Sequence, residues 1–196
     1  MLKRILLIAS MGIIVSAPAH ASVTDVVKKT VDEVVSIVSS KEMQQNPLKR
    51  RQALKQAINV IFDYTEMAKR SLGRHWNERT PAERKQFVAL FATLLENSYA
   101  DKIESYHHEK IEYINETEDN GYAEVKSRIL TPSHDFFSLD YRLMNENGKW
   151  MVYDVVIEGV SLVSNYRSQF NRIISENGYS ELLKKMENRS EDIKAR

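Results

Sequence analysis

Valine recurs at positions 23, 27, 31, 34, 35 and 38, near the spacing of one helical face, and predicts a helix over residues 23–39. Branched valines weaken intrinsic helix propensity, so this helix must draw its stability from packing. Asn46-Pro47 interrupts the pattern. A second helix follows at about 48–61, and a third at about 64–72 is closed by Gly73 as a C-cap. Thr80-Pro81-Ala82-Glu83 then combines an N-cap, a proline at the first helical position and the glutamate of a capping box. The helix it opens runs to about Tyr106, with a wide apolar stripe through Phe87, Leu90, Phe91, Leu94, Leu95, Tyr99 and Ile103. A stripe this wide is expected to pack on a broad surface such as a sheet.

Beyond this helix the period becomes alternating. Residues 110–117, 121–131, 135–145 and 149–157 read as four strands, with Asn120-Gly121 and Asn147-Gly148 as type I′ hairpin signals and Pro132-Ser133-His134 as the remaining turn. Phe137, Leu139, Tyr141 and Leu143 share one face of the third strand, and Ser138, Asp140 and Arg142 the other. The last strand is apolar on both faces apart from Asp154, which predicts a central position. Helix returns at about 160–176, with Leu162, Val163, Tyr166, Phe170, Ile173 and Ile174 on one side and Gly178 as a C-cap. A short helix at about 179–187 precedes a charged tail, Glu187 to Arg196, that is expected to fray. The predicted fold is α+β: a four-stranded curved antiparallel sheet with helices packed over one face, cone-like (NTF2-like) and with an apolar cavity.

The first residues stand apart from this domain. Lys3 and Arg4 precede an apolar run through Val15, and Ala19-His20-Ala21 is a small-x-small cleavage signature. This is the pattern of a secretory signal peptide over residues 1–21, cut after Ala21, and the run is shorter than the ~20 residues of a spanning helix. The chain has no cysteine, so it carries neither a lipoprotein anchor nor disulfides, and residues 22–196 must be held by the core of one domain. With 28 Lys+Arg against 27 Asp+Glu the formal charge is +1, and loss of Lys3 and Arg4 leaves 26 against 27, or −1. That balance excludes the basic footprint of a nucleic-acid binder.

Catalytic patterns are missing. There is no HExxH, no GxSxG and no glycine-rich phosphate loop. His107 and His108 point in different directions on a helix, so with Glu104 they make a poor metal site, and His134-Asp135 has no serine partner. Asp154, between Tyr153 and Val155, must be paired, hydrogen-bonded or protonated. Its structural reading is a buried acid bonded to backbone amides or to an arginine such as Arg167. Its functional reading is the general base of a curved-sheet isomerase or hydrolase.

Several segments resemble one family in order. Phe62-Asp63-Tyr64, Met67-Ala68, Leu72-Gly73-Arg74-His75-Trp76 and Thr80-Pro81 with Phe87, Phe91 and Tyr99 are similar to the first half of the MlaC family. Gly148-Lys149-Trp150, Val152-Tyr153-Asp154-Val155, Glu158-Gly159-Val160-Ser161-Leu162-Val163 and Asn165-Tyr166-Arg167 with Phe170 resemble its second half. The resemblance spans about residues 23–187. It implies a periplasmic phospholipid carrier of the toluene-tolerance type, with no catalysis, no cofactor and no metal; the Ala19-His20-Ala21 site and the lack of cysteine lead to the expectation that the mature protein is soluble and monomeric. The implied partners are phospholipid as cargo, an outer-membrane lipoprotein–porin complex and an inner-membrane ABC transporter with an MCE-domain subunit. A carrier or chaperone for acylated protein is the alternative within the same class. Convergence of the apolar faces places the tail contacts at Leu90, Phe91, Leu94, Tyr99, Val125, Ile129, Leu139, Tyr141, Leu143, Tyr153, Val155, Val160, Val163, Tyr166 and Phe170. The strand faces depend on register, since a slip of one residue exchanges Tyr153 and Val155 for Val152 and Val156.

Overall fold

The computed structural model describes residues 21–106, 109–131 and 135–194. The leader, His107, His108 and the turn at 132–134 lie outside the described residues. The chain runs through α1 (Val23–Ser39), α2 (Lys41–Gln44), α3 (Pro47–Asn59), α4 (Tyr64–Leu72), a 3-10 turn (Gly73–Trp76) and α5 (Pro81–Glu104). The sheet follows as β1 (Lys110–Asp119), β2 (Tyr122–Leu130), β3 (Phe136–Glu146), β4 (Lys149–Ile157) and β5 (Val160–Ser161), and α6 (Leu162–Asn177) and α7 (Tyr179–Lys194) close the fold.

The helix starts follow their local chemistry. Ser22 caps α1 and Thr80 caps α5, each in a full capping box with the acid three residues on. Asp63 and Ser161 accept the amides of Glu66 and Ser164 at the starts of α4 and α6. Each such cap satisfies an N–H that the helix itself leaves open.

All adjacent strands pair antiparallel, in the order β1-β2-β3-β4-β5. Asn120-Gly121 and Asn147-Gly148 have positive φ at both residues, as a type I′ turn requires. The two-residue β5 adds a fifth strand to the four expected. The chain reverses at Glu158-Gly159, both at positive φ, and returns Val160–Ser161 along the end of β4 before α6 starts. Toward the start of β4, on the edge opposite β3, Val152 donates to the Ile61 carbonyl at 2.6 Å and accepts from the Asp63 amide at 2.9 Å. Both edges of β4 are therefore occupied, which accounts for its nearly continuous apolar sequence.

Two β-bulges break the simple alternation. In β1 the pairing shifts between Tyr113 and Asn115, leaving Ile114 exposed. In β4, Val152 and Asp154 pair with the consecutive residues Leu143 and Arg142, so Tyr153 is the extra residue. A bulge carries the next side chain to the other face of the strand.

The helices depart from expectation in three places. Residues 41–44 form the short helix α2, capped by Ser40. α5 packs on α4 and α7 instead of on the sheet, whose helical backing comes mainly from α1, α4 and α6. Its broad stripe is satisfied by a helical bundle with Leu182, Met186 and Phe170 as partners. The charged tail is helical to Lys194, because α7 is fixed by buried Leu182 and Met186 and continues through residues that tolerate helix well.

α1 is tied to the sheet by charge as well as by Val23 and Val27. Glu116 of β1 accepts the Thr24 amide at 2.7 Å and the Val23 amide at 3.3 Å. Hydrogen bonding from Thr24, joined by the Val23 amide, holds its carboxyl below the usual carboxylate range. A carboxyl depressed in the folded state adds stability that is present above its unfolded pKa and lost as pH falls through the folded value. Amide protection at the start of α1 should therefore fall on acidification below about pH 4. In Glu116→Gln it should already be low at neutral pH, as hydrogen exchange can measure.

Candidate functional site

The interior consists of two apolar clusters. The helical one centres on Phe87, Phe91, Leu94, Tyr166 and Phe170 from α5 and α6, with Met67 and Leu72 of α4 and Leu182 and Met186 of α7. Its rings interlock: Phe91 meets Tyr166 and Phe170 edge to face at 5.5 and 6.0 Å, and Phe87 meets Phe170 at 5.7 Å. Such arrangements suit the ring quadrupoles. The second cluster joins the sheet's inner face, from Val125, Tyr141, Leu143, Val152 and Val155, to Val23, Val27, Ile61 and Leu162. Phe62 and Tyr99 are half-buried and pack against both clusters. They mark a seam between a layer of helices and a layer of strands.

Most of the residues expected to touch lipid line this interior. Phe91, Leu94, Val163, Tyr166 and Phe170 are buried in the helical cluster, and Leu90 and Tyr99 lie at its margin. Val125, Tyr141, Leu143 and Val155 are buried in the sheet cluster, with Leu139 packed beside them. Ile129 is buried but belongs to neither cluster.

Two positions fall elsewhere. The β4 bulge sends Tyr153 to the outer face, where its ring meets Tyr122 edge to face at 5.9 Å and lies 4.1 Å from the Arg70 guanidinium. Val152 takes the inner position in its place. Val160 is 56% exposed, because it sits in β5 before the first turn of α6 and not on that helix's apolar side. Sequence reasoning also missed Ala123, Ile61, Leu162 and the valines of α1 as parts of the sheet cluster. The valine periodicity of α1 was the available signal for the last group.

Asp154 is 3% exposed, and the structure gives both of its oxygens donors. Oδ1 accepts the Val163 amide at 3.0 Å. Oδ2 accepts the Ser161 hydroxyl at 2.6 Å and Arg142 Nη1 at 3.3 Å. Ser161 Oγ in turn accepts the Ser164 amide at 3.0 Å, so one carboxylate fixes the start of α6 onto β4. The arginine partner is Arg142 on the neighbouring strand and not Arg167. With its oxygens engaged by structural donors, Asp154 is poorly placed to act as a base.

Burial pushes the Tyr141 phenol well above its ordinary value, and it pushes Tyr113 up to about 12, with Asp32 adding to the effect. The Tyr113 hydroxyl is buried without a hydrogen-bond partner among the described residues. No group of three or more potential metal ligands occurs among the described residues, and no described helix is long and apolar enough to cross a membrane.

The architecture is a curved antiparallel sheet joined to a helical layer, with Phe62 and Tyr99 packed against the apolar clusters of both. The chain belongs to the MlaC family, whose model matches residues 28–188. It is 24% identical over 181 residues to the intermembrane phospholipid transport system binding protein MlaC of Haemophilus influenzae, covering 88% of this chain and 84% of that protein. It is 23% identical over 158 residues to the toluene tolerance protein ttg2D of Pseudomonas putida, covering 79% and 74%. A phospholipid-binding protein from Ralstonia solanacearum, solved in complex with a phospholipid, superposes with a TM-score of 0.80 at 26% identity, covering 88% of this chain and 99% of that one.

Proposed function

We propose that this chain is an exported phospholipid carrier that holds acyl tails between its helical and sheet clusters. The observation that carries this reading is the seam itself. Two apolar clusters meet there through half-buried Phe62 and Tyr99, which pack against both. Burying each lipid CH₂ is worth roughly 0.8 kcal/mol against water, so a two-tailed lipid cannot cross an aqueous space unshielded. Passing from bilayer to an apolar interior exchanges one dry environment for another, which keeps the net change small and the transfer reversible. Because Phe91, Val125 and Leu143 have no exposed surface, tails enter by parting the two layers.

The names and bound ligand of the relatives support the same reading. In this reading the leader is removed after Ala21 and the protein works in the periplasm, beginning at Ser22, which caps α1. The docking partners are the outer-membrane lipoprotein–porin complex and the inner-membrane MCE-type transporter. The occupied oxygens of Asp154 argue against the isomerase or hydrolase alternative. The test is transfer of a fluorescent phospholipid from donor to acceptor vesicles. Purified mature protein should speed it in proportion to its concentration, and a rate equal to that of vesicles alone would exclude carriage.

A further inference from the structure

The segment Leu72-Gly73-Arg74-His75-Trp76 is only partly used by the apolar interior. Leu72 and Trp76 enter the helical cluster, but Arg74 is exposed. The 3-10 turn Gly73–Trp76 and the polar side of α6 enclose an open cleft of about 400 Å³, bordered by Gly73, Arg74, His75, Arg167, Ser168 and Asn171.

The charge of this cleft is one-sided. Six described arginines outside it meet carboxylates: Arg50 and Arg51 meet Glu104, Arg70 meets Glu66, Arg79 meets Glu78, Arg128 meets Glu112 and Arg142 meets Asp154, while Arg84 donates to the Trp76 carbonyl. Arg74 and Arg167 have no carboxylate partner among the described residues. Arg167 donates from Nη2 to Ser164 Oγ at 3.2 Å, within its own helix. Glu78 stands 3.6 Å from His75 Nδ1 and is engaged by Arg79 at 3.2 Å.

The cleft is also preorganised. Gly73 has φ +59°, and a Cβ there would stand 3.4 Å from Cδ of Arg167 and 3.6 Å from its Cγ. The bare backbone thus seats the aliphatic stem of Arg167 beside the cleft. His75, 8% exposed, pairs through Nε2 with Asn171 Oδ1 at 3.2 Å, which leaves the Asn171 amide N–H₂ as a further donor.

We propose that this cleft is a docking site for a carboxylate-bearing segment of a protein partner, separate from the lipid interior. Two guanidinium groups without a carboxylate partner among the described residues, beside an amide donor, match carboxylate oxygens. In so open a cleft a lone small anion remains screened by water, whereas a protein segment covers both arginines at once and excludes solvent.

The test is an NMR titration of ¹⁵N-labelled mature protein at low salt with an acetylated hexaglutamate peptide, run in parallel with sodium phosphate and with phosphatidylglycerol vesicles. The peptide should move the Arg74 and Arg167 Nε–H signals and the Gly73 and His75 amides, and added salt should reverse the shifts. Arg74→Glu and Arg167→Glu, both surface changes, should each weaken peptide binding by at least about tenfold. Their bound phospholipid, measured by extraction, should stay at the level of the unaltered protein, so the outcome is independent of the carrier reading. Arg74→Ala serves as a second variant if a reversal perturbs the spectrum beyond the cleft. The proposal is overturned if the peptide leaves these signals unmoved or binds the reversed variants equally well. It is also overturned if phosphate at matched charge gives the same shifts, or if vesicles alone do.

Discussion

Val125→Trp is expected to strip phospholipid from the protein while leaving it folded. Val125 is fully buried at the centre of the inner sheet face, opposite Tyr141 on β3. In an ordinary core an indole at this point overpacks its neighbours, and such changes typically cost about 1–3 kcal/mol. At a seam that parts for lipid the indole instead takes the place of the tails. The expected result is a loss of bound lipid of about tenfold or more with less than about 1 kcal/mol of destabilisation. Tyr153→Trp is the control: the β4 bulge puts residue 153 on the outer face, so lipid content should not change. Lipid extraction and thermal melts of the two variants report both quantities. Unfolding of Val125→Trp, with no phospholipid found on the unaltered protein, would mean that the interior is only a core.

The second large effect is on stability. Asp154→Ala removes the acceptor of the Val163 amide, the Ser161 hydroxyl and Arg142 together. Hydrogen bonds to a charged group are worth about 1.5–3 kcal/mol each when buried, and a donor left unsatisfied adds to the cost. The Arg142 side chain is 40% exposed, so its share is screened and most of the loss comes from the other two. We expect about 3 kcal/mol from Asp154→Ala, or a fall of roughly 6–12 °C in Tm, and about 2 kcal/mol from Asp154→Asn, which keeps one acceptor. Lipid bound per folded molecule should be unchanged in both. Full stability with altered lipid binding would instead place Asp154 in the site.

Much of this arrangement is legible in the sequence because its signals are local. The capping box at Thr80, the Asn-Gly turns and the valine stripe of α1 each act within a few residues, and each element forms where its signal lies. What escapes is set by distant partners. Nothing in the residues of β4 announces a bulge; it follows from pairing with β3 and with the 61–63 segment, and it reassigns Tyr153 and Val152. The stripe of α5 is equally wide whether it meets a sheet or two helices, so periodicity cannot name its partner. The tail of α7 is polar on its own and becomes helical because Leu182 and Met186 anchor its beginning. The same distinction divides the candidate site. Helical contacts such as Phe91, Tyr166 and Phe170 follow from a 3.6-residue period, whereas strand contacts depend on a register that one inserted residue changes.

The central claim is that the two clusters enclose phospholipid, and native mass spectrometry of the mature protein purified from a Gram-negative periplasm tests it most directly. The account predicts a polypeptide mass beginning at Ser22 with a phospholipid adduct that collisional activation releases and extraction identifies. A homogeneous protein free of phospholipid, and still free of it after incubation with phospholipid vesicles, would contradict the account.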